Sequence, residues 1–265
     1  MHKSSRQFVF QRVYDMAALV EECIDKDESL IELDWDDPDL LLGLAKFSRI
    51  SLLHRYIYAM IAVEHRHEYR KNADLYETEE ISHLERLFDA YGIGYLPYDK
   101  FTSPISPEEA ISRAEDPFYQ WYLSQEASFE LLWEKLTDET FHLLFGNRTF
   151  LLKFNLAVSR FVDRHKTAIP AEYLGTDGRI RRQPLPVWVR DAVFYRDHGR
   201  CVLCQVDLSG LLSTDRSDHF DHIVPLGKWG INDPCNMQLL CEACNLRKAV
   251  GEPVTGHRYS PWWAY

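Results

Sequence analysis

Two cysteine pairs, Cys201-Val-Leu-Cys204 and Cys241-Glu-Ala-Cys244, with 36 residues between them, constrain this chain more than any other feature. Two thiols three positions apart in a tight turn can aim both sulfurs at one ion. A second such pair completes the closed tetrahedral thiolate set that structural zinc prefers. The intervening length exceeds what a minimal zinc ribbon needs, so a subdomain is expected inside the loop. Because sulfur takes all four positions, such an ion holds the fold and leaves no place for water or substrate. Any chemistry must then come from other residues. Cys23 and Cys235 have no matching pair and read as free thiols.

The charge is unevenly distributed. Residues 1–180 hold 20 Lys+Arg against 32 Asp+Glu, whereas residues 181–265 hold 10 against 9. In the second part the bases cluster at Arg181, Arg182, Arg190, Arg196 and Arg200, and again at Arg247 and Lys248. A polyanion is therefore expected on the C-terminal part, and the asymmetry points to two domains. The first twenty residues lack the apolar run of a signal peptide. The most apolar later stretch, Leu40 to Val63, is interrupted by Lys46, Arg49, His54 and Arg55. The expectation is a soluble cytoplasmic chain with no membrane span, a reducing setting in which cysteines serve as metal ligands rather than disulfides.

Residues 1–168 read as an acidic all-helical domain. Asp37-Pro38 is a cap followed by proline, opening a helix that could run to about Lys71. Ile81, Leu84, Leu87, Phe88 and Tyr91 repeat at helical spacing, with Gly92 as the stop. Ser106-Pro107 and Asp116-Pro117 repeat the cap-then-proline signature, and a last helix spans about Arg148 to His165. The acidic run Glu21 to Asp39 reads as a solvated surface, with a partner-binding surface that restrains the second domain as the alternative. Residues 169–186, with three prolines and two glycines, read as a linker. Residues 253–265 form an aromatic tail. That tail and Trp229 pack on their own domain or, alternatively, stack on bases.

Between the cysteine pairs stand Asp221-His222-Ile223-Val224-Pro225 and Asn236-Met-Gln-Leu-Leu-Cys241, followed by Cys244-Asn245-Leu-Arg-Lys248. Together with the helix-like approach Val189 to Cys201, these elements resemble the HNH endonuclease signature over about residues 181–250. The fold class expected is α+β, an all-α N-terminal domain followed by a small ββα-metal domain at 187–252 stapled by a four-cysteine zinc.

The chemistry agrees with the residue types. Phosphodiester hydrolysis needs a base for water, a divalent cation at the phosphate and groups that position both. His222 suits the base because imidazole accepts a proton near neutral pH. The resemblance implies that Asp221 and Asn245 hold one catalytic cation and that Asn236 holds the loop and orients the His222 ring. Lys248, one helical turn after Asn245, and Arg247 are expected at the phosphate. A carboxylate and an amide oxygen form a hard set suited to Mg2+ or Mn2+. Asp218-His219 is a competing pair without the Ile-Val-Pro continuation. The resemblance implies DNA as substrate and ends bearing 3′-hydroxyl and 5′-phosphate. RNA as substrate, and a non-catalytic zinc-stabilised nucleic-acid-binding module, remain the alternatives. An acidic helical domain joined to such a nuclease resembles the layout of effectors in bacterial defence and restriction systems. That layout implies a regulatory protein partner or homo-oligomer for the N-terminal domain.

Overall fold

The computed structural model describes residues 9–10, 12–26, 38–71, 78–103, 117–210, 218–248 and 251–257. The helix expected after Ser106-Pro107 and the aromatic tail from Tyr259 lie outside them. Ten α-helices and one two-stranded sheet are present among the described residues. The helices are α1 (Val13–Asp25), α2 (Pro38–Ala45), α3 (Leu52–Lys71), α4 (Thr78–Tyr91), α5 (Tyr98–Thr102), α6 (Pro117–Ser124), α7 (Glu126–Phe145), α8 (Arg148–Arg164), α9 (Val187–Arg196) and α10 (Glu242–Lys248). Strands β1 (Asp218–His222) and β2 (Met237–Cys241) pair antiparallel, with Asp221 opposite Gln238 and His222 opposite Met237. The expected α+β class is thus observed. No described helix is long and apolar enough to cross a membrane.

The chain divides into two compact units. One comprises residues 1–18 and 57–141, the other residues 19–56 and 142–265. This division does not follow the expected boundary at 169–186, because residues 19–56 and 142–168 belong with the cysteine-rich region. The first unit is built on aromatic packing. Phe88 of α4 meets Phe129 of α7 edge to face at 5.0 Å, and Trp121 of α6 meets the same ring at 5.9 Å. Such pairs add about 0.5–1.5 kcal/mol beyond their area burial. The Trp121 indole N–H donates to the Leu96 carbonyl at 2.6 Å, so this buried ring keeps its hydrogen bond. Helix α4 ends as expected, with Gly92 in the left-handed region at φ 65°.

The single helix expected from Pro38 to about Lys71 is two helices, α2 and α3, and the break between them lies in the second unit. The break is stabilised by residues nearly 190 positions away. The Asn232 side chain donates to the Ala45 carbonyl at 2.8 Å, closing the end of α2. Asp233 Oδ2 accepts the Leu52 N–H at 2.8 Å, placing a carboxylate at the start of α3. Ser51 caps the same turn by accepting the His54 N–H at 3.3 Å. From α8, Asn155 donates to the Cys235 carbonyl at 3.0 Å. Cys235 is a buried free thiol held against Ser51 at 3.6 Å. The loop before β2 is therefore seated on three helices. Part of the acidic run is also engaged: Asp25 pairs with Lys153 at 2.8 Å.

Residues 169–186 are structured rather than a bare linker. Ala171–Tyr173 form a 3-10 turn, and Leu174 bridges Ile180 antiparallel around a tight turn. Gly178 takes the positive φ of 70° that this turn requires.

Candidate active site

The four sulfurs of Cys201, Cys204, Cys241 and Cys244 lie within 4.8 Å of one another. Tetrahedral zinc–thiolate bonds of about 2.3 Å place sulfurs roughly 3.8 Å apart, and Cys204 to Cys241 measures 3.7 Å. The cluster joins the turn after α9, the end of β2 and the first turn of α10. Burial pushes the Cys204 thiol up to about 12. For Cys201 burial acts in the same direction, but hydrogen bonds from the Cys241, Cys204 and Leu203 backbone outweigh it and lower the value. A divalent cation is the natural counter-charge for such a set, and the geometry is that of a structural zinc site.

The β-strand alternation separates the candidate residues. His219 and Asp221 project on one face of β1, and His222 on the other. Helix α10 lies along the first face. Its Asn245 side chain stands 3.4 Å from His219 Nδ1. One turn later the Lys248 ammonium contacts Asp221 Oδ2 at 2.7 Å and the His222 carbonyl at 2.7 Å. Asp221 and Asn245 are thus carried by facing surfaces of β1 and α10, and His219, the competing histidine, stands beside Asn245. Carboxylate and amide oxygens fit a hard cation.

Lys248 itself is buried, with its side chain only 1% exposed. Its ammonium is spent on Asp221 and the His222 carbonyl, where it ties β1 to α10. Arg247 is exposed, but its Nη2 donates to Cys244 Sγ at 3.0 Å and so sits over the sulfur cluster. Arg196, counted among the bases available for a polyanion, is buried. Its Nε and Nη2 each meet Asp197 at 2.9 Å. That is a correction, since a guanidinium closed into a buried ion pair cannot reach a phosphate. The signal in the sequence was its neighbour Asp197, directly after α9.

Asn236 is fully buried and pins the turn that follows β1. Its Oδ1 accepts the Val224 N–H at 2.9 Å, and its Nδ2 donates to Val224 and Ile231 carbonyls at 3.0 Å each. Gly230 completes the turn: a Cβ there would stand 1.9 Å from the Val224 carbonyl oxygen. Asn236 therefore holds the backbone that carries His222, and its amide makes no hydrogen bond to the ring. Trp229 is buried, with the Arg179 guanidinium 4.2 Å from its ring, so it packs within its own unit.

His222 is 2% exposed. Neither ring nitrogen makes a hydrogen bond of normal geometry among the described residues. Burial first, and then the positive charge of Arg182, lower its pKa from 6.5 to about 4 against the opposing pull of Asp221. The ring is therefore neutral at pH 7. Because the folded value lies below the unfolded one, the unfolded chain binds more protons between the two. Stability is then full above the unfolded pKa and falls as pH drops toward the folded one. Going from about pH 7.5 to about pH 5.5 is expected to cost roughly 1 kcal/mol through this residue. Urea denaturation of the full chain and of His222→Gln measures it, and an unchanged pH slope in the variant would assign the loss elsewhere.

Residues 201–250 match the family model described as HNH endonuclease. This stretch is an HNH endonuclease domain. No curated protein and no solved structure matches the chain. The HNH domain spans the whole sulfur cluster, β1, the Asn236 turn, β2 and α10, and the match supports a nuclease-type function.

Proposed function

We propose that the chain is a metal-dependent HNH endonuclease that hydrolyses phosphodiester bonds in DNA, with His222 as the base for water and Asp221 and Asn245 as holders of one Mg2+ or Mn2+. The reading rests on one observation above all, the apposition of β1 and α10. Asp221 lies on a strand end pinned by Asn236, and Asn245 immediately follows the anchored Cys244. Both oxygen donors are thereby carried on short elements with little freedom of their own.

Within this reading the neutral His222 ring accepts a proton from water, and the hydroxide so formed attacks phosphorus. The bond from phosphorus to the 3′ oxygen breaks, leaving a 5′-phosphate and a 3′-oxygen that is protonated from solvent. The cation, when bound, supplies charge stabilisation to the phosphorane and the departing oxygen. Asp221 and Asn245 fix where that charge sits. Asn236 keeps the His222 backbone from shifting, and the His222 ring nitrogens, which make no hydrogen bond of normal geometry, face the Asn232 side chain. Lys248 acts as a positioning residue that holds the Asp221 strand end against α10.

Removing the base is expected to lower plasmid nicking in Mg2+ by about 10²–10⁴-fold in His222→Ala, with a comparable loss in Asp221→Ala. Equal nicking by wild type and His222→Ala would end the assignment of the base, and undiminished nicking in EDTA would end that of the cation. Cleavage with Ni2+ or Zn2+ alone would refute the hard-ligand argument. A structured RNA run beside the plasmid separates the two nucleic acids.

A second reading has its own support. The Lys248 ion pair on Asp221 and the enclosure of His222 also suit a zinc-stabilised module that binds nucleic acid without cutting it. Binding without nicking in any divalent cation would favour it. The acidic unit of residues 1–18 and 57–141 is proposed to bind a protein partner, in the first instance a second copy of the chain. Light scattering that finds only monomer across the working concentrations would remove that case.

A further inference from the structure

A cleft of about 340 Å³ opens beside Asp221, walled on one side by Pro225 to Gly227 and on the other by the 175–182 segment with Arg181 and Arg182. Its size is at the lower end of ligand clefts, which run to about 300–1,000 Å³. The wall is set by the Leu174–Ile180 bridge and by Asn232, whose side chain donates to the Arg181 carbonyl at 2.9 Å. This segment lies outside the matched HNH stretch, so its position at the site is a property of the whole unit.

The basic groups near Asp221 can be sorted by what they already hold. Lys248 is closed into its pair with Asp221. Arg247 is turned to Cys244, and Arg196 is buried on Asp197. Arg181 donates from Nη2 to the Leu174 carbonyl at 3.0 Å. Arg182 is exposed and makes no hydrogen bond or ion pair among the described residues. The acid on the same wall, Asp177, is turned into its own turn, where Oδ1 accepts the Arg179 N–H at 3.1 Å. We propose that Arg182 is a phosphate-binding residue of this nuclease and that the backbone of the cleaved strand enters through the cleft between the 175–182 segment and the 225–227 turn. The assignment rests on the proposed nuclease reading and extends it to a residue outside the signature. A guanidinium offers two parallel N–H donors to a phosphate, which a lysine cannot reproduce.

The test uses the full chain with Arg182→Ala and Arg182→Lys, and with Arg86→Ala as a variant that removes the same charge from an exposed position of α4 that does not line the cleft. Binding of a fluorescent duplex is measured without Mg2+ across a salt series, followed by single-turnover cleavage. Arg182→Ala is expected to weaken binding about fivefold or more and to reduce the salt slope by about one phosphate contact. Arg182→Lys should recover binding more than cleavage, and Arg86→Ala should change either by less than about twofold. Zinc content and melting temperature should stay at wild-type values, because the Arg182 side chain is exposed. Wild-type binding and cleavage in Arg182→Ala, or equal losses in Arg86→Ala, would overturn the proposal. Failure of the wild type to cleave any nucleic acid would overturn the nuclease reading instead, while the binding series would still report on Arg182.

Discussion

Replacing Cys204 with serine is expected to release the structural metal and unfold the HNH domain in the otherwise intact chain. The four sulfurs secure elements too short to persist alone. Helix α10 has 7 residues and each strand has 5, far below the roughly 12–15 residues at which an isolated helix becomes even marginal in water. The domain's core is correspondingly small, with Val189, Val193, Val202, Leu239 and Leu240 packed against Cys201 and Cys244 themselves. Zinc binding contributes on the order of 10–16 kcal/mol in small zinc-dependent folds. No rearrangement of so small a core replaces that. Metal content, thermal unfolding and limited proteolysis of the full chain measure the effect. A Cys204→Ser protein that keeps one zinc and melts within a few degrees of wild type would refute it. Loss of α10 also displaces Asn245 and Lys248, so the proposed cation site should vanish with the zinc, whereas chelating the catalytic cation alone should stop cleavage and leave the melting temperature nearly unchanged.

The second large loss is expected at Asp197. Its carboxylate is wholly buried at the end of α9, where it accepts both forks of Arg196 and the Leu239 N–H at 3.0 Å, with Arg148 Nη1 at 3.7 Å. Arg196 in turn donates to the Met237 carbonyl at 2.7 Å and lies 5.0 Å from the Phe145 ring centroid. Arg148 donates to the Gly256 carbonyl at 2.9 Å. Asp197→Ala leaves two buried guanidinium groups without their counter-charge, a change that costs about 3–5 kcal/mol when one partner of a buried pair is removed. Urea denaturation reads it. A double variant with Arg148→Met should lose less than the two single changes combined, since removing Arg148 also removes part of the unpaired charge. A cost below about 1 kcal/mol for Asp197→Ala would mean that water reaches the arginines and the cluster is not the support described here.

These losses arise in parts of the molecule that were unequally legible. The sulfur site followed from two i, i+3 cysteine pairs, because that spacing by itself turns both sulfurs to one side of a turn. The stop of α4 at Gly92 was equally local: only the backbone freedom of that residue was needed. Asn236 was marked by its place in the signature, and the hydrogen bonds to Val224 and Ile231 supply the reason for an amide there. Arg182, by contrast, was one base in a cluster, and its separation from Arg196 came from the fold alone.

The sequence by itself determined the metal-binding frame, the helical character of the described parts before it and the order of residues that can perform phosphodiester chemistry. Each of these is written in spacings of a few residues. The tertiary structure decided which bases remain free, that Lys248 points inward to Asp221, that His222 is enclosed, and that residues 169–186 form a wall rather than a tether. It also decided that the helix expected from Pro38 is cut in two. The physical reason is the same in each case: a buried polar group must find a partner, and here the partners lie far along the chain. Ala45 and Leu52 are met by Asn232 and Asp233, at separations of 187 and 181 residues.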